Sequence, residues 1–185
     1  REHLDDVLSG AARIGFVEIH AENYMSDGGP VLDLLDALKA LYPISLHGVA
    51  LSLGGEDPLD LDQLCRLRRL VDRIAPASFS EHLAWSIHDG IYFNDLLPVA
   101  YNAAALDRVC DRIDQTQQAL GMRLLLENPA SYILQDADAW PEVDFLAEVA
   151  DRTDCGLLLD LNNVLVSATN QGWDPADYLA AFPVE

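Results

Sequence analysis

Basic residues are scarce in this chain: 11 Lys and Arg stand against 31 Asp and Glu, a formal net charge of −20. Binding a phosphate backbone takes a concentrated basic face, so no nucleic-acid partner is expected. The acidic surplus falls on stretches such as Leu59–Asp62 and Trp140–Asp154, where it reads as solvated outer surface. Long apolar runs are absent as well. No stretch approaches the roughly 18–20 residues that cross a bilayer, and no basic-then-apolar leader opens the chain. The expectation is therefore a cytoplasmic protein with no membrane partner. Cysteine is limited to Cys65, Cys110 and Cys155, too far apart for a zinc or redox motif. All three read as small buried hydrophobes in a reducing compartment. No Gly-rich phosphate loop follows the first strand pattern, and Ser52, Ser80, Ser131 and Ser167 lack a nucleophile elbow. Dinucleotide binding and covalent serine hydrolysis are disfavoured.

What is present alternates. Strands are predicted at Ile14–His20, Ile44–His47, Ala77–His82, Arg123–Glu127 and Gly156–Asp160. Helices are predicted from Pro30 to Leu41, Leu59 to Ile74, Asn102 to Leu120, Pro141 to Thr153 and Asp174 to Phe182. Asn102 and Asp174 suit helix caps, and Gly121 suits a helix stop. Strand–helix alternation predicts a parallel α/β sheet with right-handed crossovers. With half its 185 residues apolar, the chain can build a core as one domain, residues 1–185. Five strands are visible where a closed (β/α)8 TIM barrel needs eight. The start at Arg1 without Met and the stop at Glu185 after a helix lead us to expect a partial barrel. One strand would be missing before Arg1 and two after Glu185, because two long open sheet edges are avoided in native proteins.

Four of the apolar runs end on a residue that metals favour. Ile44-Ser45-Leu46 leads into His47, the run to Glu81 leads into His82, Leu124-Leu125-Leu126 into Glu127, and Leu157-Leu158-Leu159 into Asp160. Parallel strands would bring these ends to one rim, where two imidazoles and two carboxylates form a candidate metal site. A strand-end histidine taken alone is more often structural; the fourfold repetition is what argues for ligation. Imidazole and carboxylate without thiolate suits Fe, Mn or Zn, and open positions in such a set suit non-haem iron.

Neighbouring residues extend the candidate list. Asn162 shares strand parity with Asp160, which makes it a possible ligand or substrate contact, and Asn128 follows Glu127 at the rim. Glu18, His20 and Glu22 share a parity in the first strand region and read as structural or substrate-binding groups ahead of metal ligands, which they could also be. Glu81 points away from His82 on the strand and reads as an outer partner or a helix cap. Trp85 and Tyr92–Asp95 fall in a long stretch before the Asn102 helix, read as a lid or binding loop.

At these residues the chain resembles a bacterial family of multinuclear non-haem iron enzymes that includes the methanobactin-biosynthesis oxidase. The resemblance runs through VEIHAENYM, ISLHGVALSLG, SEHLAW, NDLLP, LLLENPASY and LLLDLNNV. It implies a xylose-isomerase-like TIM barrel with two or three iron ions at the C-terminal rim. His47, His82, Glu127 and Asp160 would be iron ligands, and Asn162 a further candidate. It also implies O2 as co-substrate, oxidation of a cysteine in a ribosomal precursor peptide, and a partner protein that presents that peptide. Further ligand-bearing strands of the family have no counterpart in this chain. Two other readings compete: a metal-dependent sugar isomerase or phosphodiesterase of the same barrel group, and a non-catalytic metal-binding protein.

Overall fold

A computed structural model describes residues 3–10, 13–133 and 139–183. Arg1 and Glu185, on which the expectation of cut ends partly rests, lie outside the described residues. In chain order the elements are α1 (Leu4–Leu8), β1 (Val17–His20), α2 (Pro30–Leu41), β2 (Ile44–Gly48) and α3 (Leu61–Ile74). Then come β3 (Ser78–His82), β4 (Trp85–His88), β5 (Ile91–Leu97), α4 (Ala103–Leu120) and β6 (Leu124–Glu127). The chain continues with α5 (Glu142–Thr153), β7 (Gly156–Leu158), α6 (Leu161–Gln171) and α7 (Pro175–Ala181). A 3-10 turn, Ala21–Tyr24, follows β1 directly.

Five strands form one sheet in the order β1-β2-β3-β6-β7, every neighbouring pair parallel. This is the expected α/β arc, with each crossover built from a helix that covers the sheet's outer face. The register explains how that face packs. Leu46 lies beside Phe79, and Leu126 belongs to the same outward parity; all three are fully buried beneath the helices. Leu67 of α3, Ile113 of α4 and Phe145 of α5 complete this layer with 1% exposure or less. The inward parity is different. Glu18, His20, Ser45, His47, Ser78, Ser80, His82 and Glu127 line it, so these strands are not apolar on both faces as their runs suggest.

Local chemistry sets the helix boundaries. Asp60 Oδ1 accepts from the Asp62 and Gln63 amides, Asn102 Oδ1 from the Ala105 amide, and Asp174 Oδ1 from the Ala176 amide. Gly121 ends α4 at φ +65°, a left-handed value that suits glycine.

Two elements differ from expectation. The stretch after His82 is an antiparallel hairpin, β4–β5, rather than a loop. Its turn is Asp89-Gly90, both at positive φ, as a type I′ hairpin turn requires. Second, the strand at Gly156 ends at Leu158, and Asp160 caps α6 through an Oδ1 bond to the Asn163 amide. Cys65 also departs from expectation: it is exposed on α3, whereas Cys110 and Cys155 are buried. No helix among the described residues is long and apolar enough to cross a membrane.

A buried polar junction ties α7 to α5. Tyr101 Oη donates to Glu142 Oε2 at 2.8 Å, and Tyr178 Oη donates to Glu142 Oε1 at 2.6 Å. Burial raises the Glu142 pKa above the ordinary carboxylate value, although both hydroxyls favour the anion. The native state therefore holds this proton more tightly than the unfolded chain. Its contribution is fully present below the unfolded pKa and is lost as pH rises through the folded one. Glu142→Gln removes that slope. In urea titrations the variant should gain on the wild type as pH rises above the unfolded carboxylate value; a pH-independent gap between them would contradict the assignment.

Candidate metal centre

Adjacent parallel strands carry His47, His82 and Glu127 to one rim. The register puts His47 beside Ser80 and His82 beside Glu127, one residue pair further along. One donor atom from each of the three residues falls in a group whose members all lie within 4.8 Å of one another. His47 Nε2 and His82 Nε2 are 2.9 Å apart. Two nitrogens on one ion at about 2.1 Å, subtending a right angle, would be separated by roughly 3.0 Å. Glu127 Oε2 is 3.6 Å from His47 Nε2, and Glu127 Oε1 is 3.6 Å from His82 Nδ1.

Electrostatics suit ligation. Burial, aided by the neighbouring His47, pulls the His82 pKa down to about 4. Burial also lowers His47, against the opposing charge of Glu18. Both rings are thus neutral at pH 7, the state that donates to a metal. Burial together with the charges of Asp160 and Glu18 raises Glu127 to about 7. These close contacts are therefore not ion pairs of imidazolium and carboxylate. They form a donor set of two neutral imidazoles and a carboxyl that titrates near neutral pH, and a divalent cation there would favour the ionised carboxylate.

Outer partners orient these side chains. Ser80 Oγ lies 2.7 Å from His47 Nδ1; with the proton on Nδ1, the lone pair at Nε2 faces the other two residues. Asn163 Nδ2 donates to Glu127 Oε1 at 3.1 Å and to the Asn128 carbonyl at 2.9 Å. Residues with these donor types and this orientation fit a metal ion with open positions.

The remaining candidates occupy definite places. Asp160 stands close enough for its charge to act on His47, His82 and Glu127, but it is outside the three-residue donor group. Asn162 sits exposed on the first turn of α6, so strand parity does not apply to it. Its neighbour Asn163, which the sequence reading passed over, is the one turned toward Glu127. Helix parity from an Asp160 cap could have found it. Asn128 bridges to Asp160 through both backbone groups of that residue, at 3.1 and 2.7 Å. Glu18 Oε2 accepts from Ser45 Oγ at 2.9 Å, and the His20 ring meets the His47 ring edge to face at 5.6 Å. Glu22 Oε1 accepts from the Val49 amide.

Glu81 is the other residue whose role becomes legible only in three dimensions. It is 1% exposed on the outward parity of β3 and accepts from the Leu51 and His82 amides. Burial lifts its pKa to about 8. It joins the segment after His47 to the backbone of His82. Gly48 makes room for it: a Cβ there would meet Glu81 Oε2 at 2.6 Å and the Phe79 ring at 3.2 Å. Gly48→Ala should cost about 1–3 kcal/mol through overpacking. Chemical denaturation will check this, and a neutral effect would show that Glu81 can move aside.

A cavity of about 310 Å³ opens beside His82. Val49, His82, Pro129, Ala130, Tyr132 and Asn163 line one side, and Tyr92, Asn94, Asp95 and Leu96 of β5 the other. The hairpin is thus a wall of the site.

Known proteins resemble this chain over nearly its whole extent. A UPF0276 protein of Bordetella pertussis is 56% identical over 183 residues, covering 99% of this chain and 63% of that protein. A UPF0276 protein of Paraburkholderia phytofirmans is 51% identical over 184 residues, covering 100% of this chain and 60% of that one. The chain thus spans less than two-thirds of the length of these relatives. Among solved structures, the 3-keto-D-glucoside 4-epimerase YcjR from E. coli superposes with a TM-score of 0.56 at 14% identity, covering 96% and 72% of the two chains. SacUVDE superposes with a TM-score of 0.55 at 18% identity, covering 97% and 61%. At such identities these likenesses establish the TIM-barrel-like fold alone. The family model that matches residues 1–185 settles membership: the chain belongs to the RiPP precursor modification enzymes MbnB/TglH/ChrH.

Proposed function

We propose that this protein is part of an iron-dependent oxidase that uses O2 to modify a cysteine of a ribosomal precursor peptide, presented by a partner protein. The observation that carries this reading is the convergence of His47, His82 and Glu127, on three adjacent strands, beside an open cavity. Thiolate-free nitrogen and oxygen donors with open positions suit non-haem iron. Iron bound there would supply one-electron redox chemistry and the activation of O2.

The chain's own residues supply the rest. His47 and His82 present neutral nitrogens, held by Ser80 and by the Glu81 link between their strand ends. Glu127 offers a carboxylate oriented by Asn163, and a value near 7 lets it take up or release a proton around neutral pH. Asp160 and Glu18 add negative charge next to this set, and we assign them to a second or third iron. Tyr92 and Tyr132 flank the cavity and would keep bulk water away from a peptide lodged there.

The test is anaerobic loading of the protein with ferrous iron, elemental analysis, and exposure to O2 with cysteine-containing precursor peptides from neighbouring genes and their presenting proteins. Mass spectrometry should show an oxidative mass change confined to the cysteine-bearing segment. Preferential loading with zinc or manganese, together with O2-independent turnover of sugars, would replace this reading with the isomerase one.

A further inference from the structure

The geometry points to a second binding surface, on the outer side of the sheet: a groove beside α3 that docks an acidic, apolar-spaced polypeptide segment. In a chain with 11 basic residues, four fall between Arg66 and Arg73. Arg66, Arg69 and Arg73 recur at helical spacing and so lie on one stripe of α3. They line a groove of about 230 Å³, whose floor includes Leu32 and Leu70. Both leucines are about 4% exposed, so the floor is apolar while the guanidinium groups stand at the wall.

The charge in this groove is free to recruit a ligand. Arg66 has no hydrogen-bond or ion-pair partner among the described residues. Arg69 makes only weak contacts, a 3.7 Å bond to Cys65 Sγ and a 3.8 Å approach to Asp27 with both charged side chains largely in water, where such a pair is worth little. Arg73 is held firmly, by a two-pronged pairing with Asp36 at 3.0 and 2.6 Å. Other arginines are engaged elsewhere: Arg108 and Arg112 on carbonyls of residues 52–57, Arg123 on carbonyls at 154 and 155, Arg152 on Asp107 and Glu148. A net charge of −20 repels an acidic chain over most of this surface, so such a partner is steered to this groove. A carboxylate-bearing strand with small apolar side chains between its charges matches both wall and floor.

Position links the groove to the metal centre. Its far wall includes Tyr24 to Asp27, the end and continuation of the Ala21–Tyr24 turn, which follows His20 and contains Glu22. The assignment of the docked segment to the substrate peptide or its presenter rests on the proposed function; the groove's preference for acidic polypeptide does not.

The experiment uses metal-free protein and fluorescence anisotropy, with a fluorescein-labelled Glu-Leu-Glu-Leu-Glu-Glu peptide and its lysine counterpart. The acidic peptide should bind at low ionic strength and the lysine peptide should bind elsewhere or not at all. Arg66→Glu combined with Arg69→Glu should weaken the acidic peptide by at least ~10-fold. Arg68→Glu, an equal charge change per site on the neighbouring stripe where Arg68 pairs with Asp72, should stay within ~2-fold. Because all three arginines are exposed, circular dichroism and thermal midpoints should match the wild type. Failure of the acidic peptide to bind, or equal loss in Arg68→Glu, overturns the groove. Neither result bears on iron loading, and failed iron loading would leave the groove standing.

Discussion

Alanine at His82 is expected to lower ferrous-ion affinity by more than ~100-fold, beyond what loss of an outer partner typically costs, while the fold survives. His82 sits at the end of β3, with its ring 2.9 Å from that of His47 and next to Glu127. Removing the ring takes away one of three convergent donors, and no other histidine replaces it in the group. The fold should persist because the packing of β3 comes from Phe79 on the opposite parity, at 0% exposure. Metal-free stability should be unchanged or slightly raised, since a buried polar ring held in neutral form is no asset to an empty site. The contrast should be visible by calorimetry. Ligand at 100 times its dissociation constant stabilises a native protein by about 2.7 kcal/mol, so ferrous iron should raise the wild-type midpoint and leave the variant's unmoved. A variant that still loads iron at wild-type affinity would remove His82 from the centre. Serine at Asn163, which only loosens Glu127, should have a milder effect of about 10-fold.

Most of the sheet was legible because buried parallel strands leave short apolar runs bounded by turn residues, a pattern that needs no tertiary knowledge. The rim was legible for the same reason: His47, His82 and Glu127 each close such a run. What escaped depended on contacts between distant segments. Asn162 was preferred over Asn163 because strand parity was carried past Asp160; Asp160 instead caps α6, and the helix turns Asn163 toward Glu127. The hairpin was readable in principle from Asp89-Gly90, but the long stretch between His82 and Asn102 invited the simpler reading of a loop. Glu81 was placed on the correct side of its strand by parity, yet its role needed the position of Leu51, thirty residues away. Local periodicity reports which way a side chain faces; what waits there is set by packing.

Arg112 illustrates that limit and carries the largest stability effect expected outside the core. In the sequence it reads as one more charged residue on the amphipathic α4, yet it is 6% exposed. Its guanidinium donates to the carbonyls of Ser52 at 3.2 Å and Leu53 at 3.3 Å, and to those of Gly55 and Asp57. Among the described residues no carboxylate forms an ion pair with it. The loop it holds in turn carries the hairpin: Ser52 Oγ accepts from the Ser86 and Ile87 amides, and the Gly54 amide donates to the Ala84 carbonyl. A guanidinium fork presents five donors in a fixed plane, which suits four carbonyls arranged along one bend of chain. Arg112→Met fills much of the space but leaves those carbonyls without donors in a buried setting. We expect a loss of about 3–5 kcal/mol in denaturant unfolding. Arg112→Lys, with one compact ammonium, should recover only part of it. Amide exchange at Ser86 and Ile87 should quicken in the methionine variant before the β2 and β3 amides respond, because the loop loosens first. A variant that keeps wild-type stability and protection would mean that the loop holds its shape unaided, and the wall of the metal-site cavity would then owe nothing to α4.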